Sequence, residues 1–218
     1  MNAAILKRLD QIHFFTVESY MQVARLKESE KAKALNRLAR AARAGQILRV
    51  KRGIYITKNF YDRYHQDERF NWVISHIINP ISYVSSLTIL QKANLLTEVT
   101  YPTTAITQKN TSKITNPTGV YTYQFIKKSL YTGFSNLEFL GLVYHTASIA
   151  KALFDFLYLK PIPRPLRSKE ISIALELRLN LEVLSLKDQQ AFEKYVEMSK
   201  SEKMCMILNN FKEHRWQL

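Results

Sequence analysis

The sequence predicts an α+β fold in two parts, and three observations carry that expectation. Residues 1–56 run through three helical patterns into two short β-type segments joined by a turn with glycine. Residues 98–134 change character: Thr, Tyr, Val and Ile dominate, with a break at Thr115-Asn116-Pro117-Thr118-Gly119. From Ser148 onward the pattern is helical again. Helices, then a small group of strands, then helices is the order of an α+β body rather than of alternating βα units. The expected division is residues 1–65 and residues 66–218. The second part should hold a mixed α+β body with a small, mainly antiparallel sheet and a helical C-terminal tail.

In the first part, Ala3 to Leu9 reads as a short helix, with Ile5 and Leu9 spaced i, i+4. Thr16 can cap a second helix, roughly Val17 to Arg25. Ser29 is the next good cap, and Glu30 after it suits the positive end of the helix dipole. A third helix then runs to about Ala44. Gly45 stops it as a residue free to take positive φ. Gln46 to Val50 and Ile54 to Ile56 flank Lys51-Arg52-Gly53 and read as a hairpin.

The third helix has two faces. Ala32, Leu35, Leu38, Ala39 and Ala42 fall at helical spacing and make the expected core stripe. Lys33, Asn36, Arg37, Arg40 and Arg43 make the opposite one. Between Lys31 and Arg52 there are eight cations and no acid. Surface helices usually mix signs, because opposite charges support one another along the helix. An unmixed cationic face repels itself, and a phosphate backbone would offset that cost.

The second part begins after Phe60 to His65, which reads as a linker. Asp67 to Asn79 is helical in pattern and stops before Pro80. Ser85 is a possible cap for a helix through about Leu96. Val120 to Ile126 alternates as a strand does, and Leu137 to His145 reads as another. Ser148 opens an apolar helix through Leu159, and Pro161, Pro163 and Pro165 break it. Three further helical patterns follow, near 168–180, 186–199 with Ser185 as cap, and 201–213.

Composition narrows the partners. The 218 residues are 46% hydrophobic, enough for a packed core. Lys and Arg number 32 against 18 Asp and Glu, a net charge of +14, which points to a polyanion. Residues 1–65 hold fourteen of those cations and five of the acids, so +9 of the charge sits in the first third. No run of 18 apolar residues occurs, and Lys7, Arg8 and Asp10 interrupt the apolar patch at the start, unlike a signal peptide. A cytoplasmic protein that binds no membrane is expected. The only cysteine, Cys205, excludes an internal disulfide and cysteine-paired zinc, and reads as a small buried side chain in a Met-rich helix.

Enzyme chemistry finds little footing. The histidines His13, His65, His76, His145 and His214 do not pair at i, i+4, and no glycine-rich phosphate loop exists. Asp155 lies four residues after Lys151 in an apolar helix. That spacing fits a nuclease carboxylate beside a lysine, but fits an ion pair or a helix-to-sheet tether better. Glu138 is equally ambiguous, and Ser85-Ser86 reads as a cap rather than a nucleophile. No enzyme, cofactor or metal is expected.

Three helices followed by a basic hairpin is the order of a winged helix-turn-helix, which lays its recognition helix in the major groove of a duplex. Asn36, Arg37, Arg40 and Arg43 would reach base edges, since Arg pairs with guanine and Asn with adenine. Lys33, Arg49, Lys51 and Arg52 complete the expected DNA-binding set, with Lys33, Lys51 and Arg52 on phosphates. The competing expectation is a protein–protein adaptor, or a nuclease- or restriction-associated subunit that binds nucleic acid without sequence preference.

The stretch Leu35-Asn36-Arg37-Leu38, continuing through Gly45-Gln46-Ile47-Leu48-Arg49-Val50-Lys51-Arg52-Gly53-Ile54-Tyr55, resembles the winged helix of AbiEi-type abortive-infection antitoxins. Tyr83-Val84-Ser85, with Thr88 and Leu90, resembles that family's helix entry after the winged domain. Ala147-Ser148, Lys151-Ala152-Leu153 and Asp155 resemble a segment of its second domain. The likeness covers about residues 10–160. It departs at Ile89, where a small residue is usual, at Asn94, where Gly is usual, and at Ile149-Ala150, where Pro-Glu is common. The resemblance implies a transcriptional repressor that binds the operator of its own operon. It implies the antitoxin of a type IV toxin–antitoxin pair, countering a nucleotidyltransferase-like toxin without direct contact being required. The sequence leaves the oligomeric state open.

Overall fold

The computed structural model describes residues 1–96, 102–163 and 171–214. The chain is α+β, with ten α-helices and two sheets among those residues. In the first part, α1 (Ala3–Leu9) starts at Asn2, whose side chain accepts from the Ala4 amide. A two-residue strand, β1 (Phe15–Thr16), follows. Thr16 then caps α2 (Val17–Val23) by accepting from the Ser19 amide. A single 3-10 turn, Glu28–Glu30, leads into α3 (Lys31–Arg43). Ser29 is not the cap; the Glu30 carboxylate instead accepts from the Lys27 amide at 3.1 Å. Gly45 takes φ 67° after α3. Strands β2 (Ile47–Lys51) and β3 (Ile54–Thr57) form the hairpin, and the sheet order is β1-β3-β2, all antiparallel.

This small sheet is covered on both faces. Ile47 and Tyr55 pack into one core with Leu9, Phe15, Tyr20, Met21, Leu38 and Ala41 from the helices. Val50 and Ile56 belong to the other core, shared with the second part, and Leu48 and Ile54 pack against it. The register is irregular between Arg49 and Lys51, and between them Val50 is buried beside an exposed Arg49.

The expected linker is a helix. Thr57 accepts from the Phe60 amide at 3.0 Å and caps α4 (Lys58–Tyr64). Phe60 is only 4% exposed, so the aromatics there drive packing rather than a break. Asp10, just past α1, accepts from Thr57 Oγ1 and Asn59 Nδ2, both at 2.5 Å, and pairs with Arg63.

In the second part, α5 (Glu68–Ile78) is capped by Asp67 and precedes β4 (Ser82–Val84) and α6 (Leu87–Lys92). Then come β5 (Thr103–Thr107), β6 (Ser112–Asn116), β7 (Gly119–Phe125), β8 (Phe134–Phe139) and β9 (Leu142–Ala147). They make a six-stranded sheet in the order β6-β7-β5-β4-β9-β8. It is larger than expected and mixed, because β5 pairs parallel with β7 and β4 parallel with β9. Alternation along a strand reports which face is buried, not which neighbour it finds, so the parallel pairings left no local trace.

The expected strand over Leu137 to His145 is a hairpin. It turns at Leu140 and Gly141, with φ 54° and 72°. Two successive positive φ values suit the twist of a two-residue hairpin turn, and leucine at the first position hides the signal. Ser85 does not cap α6; Ser86 stands there, at φ 54° and without a side-chain capping bond.

Helix α5 covers one face of the sheet. The Tyr121 hydroxyl donates to Asn71, and the Tyr123 hydroxyl to the Ser75 carbonyl. The other face carries α6 and α7 (Ile149–Leu159), the latter capped by Ser148 as expected. The tail holds α8 (Ile173–Glu176), α9 (Leu186–Ser199), capped by Ser185, and α10 (Glu202–His214). Helix α8 is far shorter than the expected 168–180, whose start lies outside the described residues. Residues 98–101, Pro165 and Arg215–Leu218 also lie outside them. Cys205 is exposed, not buried, because Met204 and Ile207 take the inward positions of α10. Among the described residues no helix is long and apolar enough to cross a membrane.

Candidate nucleic-acid interface

Helix α3 decides the geometry of the cationic surface. Its buried line is Ala34, Leu38 and Ala41, spaced i, i+4, i+7. The expected stripe was rotated: Leu38 is in the core, but Leu35 is 45% exposed and Ala32 and Ala39 face solvent. At 100° per residue, Ala32, Asn36, Ala39 and Arg43 stand opposite the buried line. Arg40 and Lys33 lie on one flank, with Arg37 beyond them, and Leu35 lies on the other. Lys33, Asn36, Arg37, Arg40 and Arg43 are all exposed, so the helix brings them onto one side of the molecule.

Neighbours shape that side. Lys33 pairs with Glu30 at 2.8 Å, and its contact holds the Glu30 carboxyl below the ordinary range. Lys31 pairs with Glu18 at 3.1 Å. Arg37 and Arg40 line a shallow cavity with Tyr20, Met1, Asn2 and Ile5. Arg40 and Arg43 sit in the last turn, where cations suit the negative end of the helix dipole. On the hairpin, Arg49 is exposed opposite Tyr55, and Arg52 is exposed before Gly53, which turns at φ 79°.

Lys51 departs from the set. Its ammonium donates to the carbonyl of Ile78, the last residue of α5, at 3.0 Å. Helix C-termini leave carbonyls without intrahelical partners, and a cation there is doubly favourable. Burial pushes the Lys51 pKa down, and the nearby charge of Lys109 adds to that. Lys51, expected on a phosphate, here tethers the hairpin to the second part. Asn116 makes a second one, donating from Nδ2 to the Val50 carbonyl at 2.8 Å. The sequence did not point to Asn116 or Lys109, because both lie far along the chain and only the tertiary fold brings them to the hairpin.

The Lys151–Asp155 pair is the other chemically distinctive cluster. Both side chains are fully buried, and they contact each other through Lys151 Nζ and Asp155 Oδ1. Asp155 Oδ2 accepts from Ser85 Oγ at 2.7 Å and from the Tyr83 hydroxyl at 3.0 Å. The Lys151 ammonium lies 4.9 Å from the Phe154 ring centre and 5.5 Å from that of Tyr195. Burial drives the Asp155 carboxyl up and the Lys151 ammonium down; their contact opposes both shifts, and the two hydroxyls oppose that of Asp155. With no exposed atom in either side chain, this geometry ties α7 to β4. It does not present a carboxylate to a substrate. Among the described residues no group of three or more His, Cys, Asp or Glu could hold a metal.

No protein-family profile matches the chain, and no curated protein matches it.

Proposed function

We infer that the N-terminal part is a winged helix-turn-helix that reads duplex DNA, and that the protein is a sequence-specific transcriptional repressor. One observation carries this reading. The outward face of α3 gathers Lys33, Asn36, Arg37, Arg40 and Arg43 with no acid of the helix itself among them, Lys33 alone of these pairing with Glu30 before the helix, and Arg49 and Arg52 of the following hairpin are exposed as well. A helix so charged is at its most stable against a polyanion, and one such helix fits the width of a major groove. Asn36, Arg40 and Arg43 are the base-reading candidates, with Arg37 at the margin. Lys33, Arg49 and Arg52 hold phosphates and set the register. The enclosure of Lys151 and Asp155 counts against the nuclease reading alone, and the adaptor reading does not depend on that pair.

The antitoxin role in a type IV toxin–antitoxin pair rests on the resemblance to AbiEi-type proteins alone, as does the nucleotidyltransferase-like toxin it would counter. Relief of growth arrest by such a toxin in co-expressing cells supports that role, and unrelieved arrest removes it.

DNA reading is tested by titrating the full chain against its own upstream promoter and a scrambled duplex across a salt series. The expected preference for the promoter is at least about a hundredfold. The logarithm of affinity should fall with log salt by about 0.9 per phosphate contacted. Arg40→Ala should weaken promoter binding by about 1–3 kcal/mol and relax specificity. Equal affinity for the two duplexes contradicts the reading.

A further inference from the structure

The outward face of α3 is not uniformly cationic. Leu35, Ala39 and Ala32 line one half of it, at i, i+4 and i−3, with Leu35 45% exposed. Lys33, Arg37 and Arg40 line the other half, and Asn36 and Arg43 lie between. A single exposed leucine on a protein surface is ordinary. This one lies across the helix from Lys33, Arg37 and Arg40, with Asn36 and Arg43 between, so a duplex that takes the whole outward face into its groove meets the leucine at the far edge of that face. Against phosphate or a polar base edge, desolvating a leucine returns nothing. The standard base pairs display only one apolar group in the major groove, the C5 methyl of thymine.

Resting on the DNA-reading function above, we propose that Leu35, flanked by the small Ala32 and Ala39, is a specificity-determining contact to a thymine methyl. The two alanines let the helix backbone approach the groove floor. Asn36, one position along, faces the neighbouring base edges and has the paired donor and acceptor that adenine N6 and N7 require. The cationic half grips the backbone on the other side. The recognised site should therefore contain an A·T step under the N-terminal half of α3, and the thymine methyl should be read apart from its hydrogen-bonding groups.

The test uses the full chain and duplexes selected by it from a random pool. Each thymine of the selected consensus is then replaced singly by uracil, which deletes only the methyl. At one thymine, uracil should weaken binding by about fourfold, the worth of one buried methyl. That discrimination should vanish in Leu35→Ala. It should persist in Arg40→Ala, whose overall affinity falls. A consensus without sensitivity to uracil, or with a sensitivity that Leu35→Ala leaves intact, overturns the proposal while leaving the DNA-reading function standing. A pool that yields no consensus overturns both.

Discussion

Asp155 keeps a carboxylate in the core because three donors converge on it: Lys151 on one oxygen, Ser85 and Tyr83 on the other. Such a pair adds little net stability against an apolar replacement, yet breaking it is costly, since the survivor is left buried and unpaired. Asp155→Ala should destabilise the protein by about 3–5 kcal/mol in urea unfolding. The double variant Lys151→Met, Asp155→Leu should recover most of that loss. A single variant as stable as the parent would show the pair to be dispensable. The i, i+4 spacing of Lys151 and Asp155 was legible in the sequence. Their partners were not, because Tyr83 and Ser85 lie about seventy residues away and Ser85 mimics a helix cap.

Helix α3 shows the same division at the level of an element. Its extent and its cationic residues follow from the sequence. Its rotation does not, because alanine is acceptable inside and outside. An alanine-rich helix offers two apolar lines, one through Leu35 and one through Leu38. The choice belongs to the packing of Ala34, Leu38 and Ala41 into the core that Tyr20, Met21 and Ile47 share. The two leucines therefore separate cleanly in a stability measurement. Leu38→Ala should cost about 2–5 kcal/mol through the cavity it leaves. Leu35→Ala should stay within about 0.5 kcal/mol, as exposed substitutions do. Equal losses would mean that α3 is rotated from the position described. The hairpin repeats the lesson. Its strands and turn were legible from Ile47 to Ile56, but the partner of Lys51 was not, because it is the end of α5.

Across the whole molecule, buried titratable groups bound the pH range of stability. The rings of His76 and His145 meet at 4.6 Å, and the Nδ1 of each is buried without a partner. Burial holds both below the ordinary histidine value of 6.5, and His145 also repels charge on His76. Below pH 6.5 the unfolded chain takes up protons that the folded one refuses, so stability should fall as the pH drops through this window. At the other end, burial pushes the Tyr83, Tyr121 and Tyr123 hydroxyls far above 10. Above that pH the unfolded chain releases protons that the folded one keeps, and stability should fall again. Urea midpoints measured across pH should therefore form a plateau with two falling limbs. His76→Phe combined with His145→Phe should flatten the acid limb just below pH 6.5. An unchanged limb would assign it to other groups.

The sequence by itself determined the α+β class, the order of the first three helices and the hairpin, the caps at Thr16, Ser148 and Ser185, and the cationic character of α3. All of these are local: periodicity over a turn or two, a hydroxyl beside its own amides, a run of like charges. Only the tertiary structure decided the parallel pairings of the sheet, the rotation of α3, the helix at Lys58–Tyr64, and the tethers of Lys51 and Asn116. Each depends on what a segment meets rather than on what it contains. A strand's alternation is blind to the direction of its neighbour, and an alanine-rich helix is blind to its own inner face. The carbonyl that accepts the Lys51 hydrogen bond lies 27 residues downstream, where only the folded chain brings it within 3.0 Å.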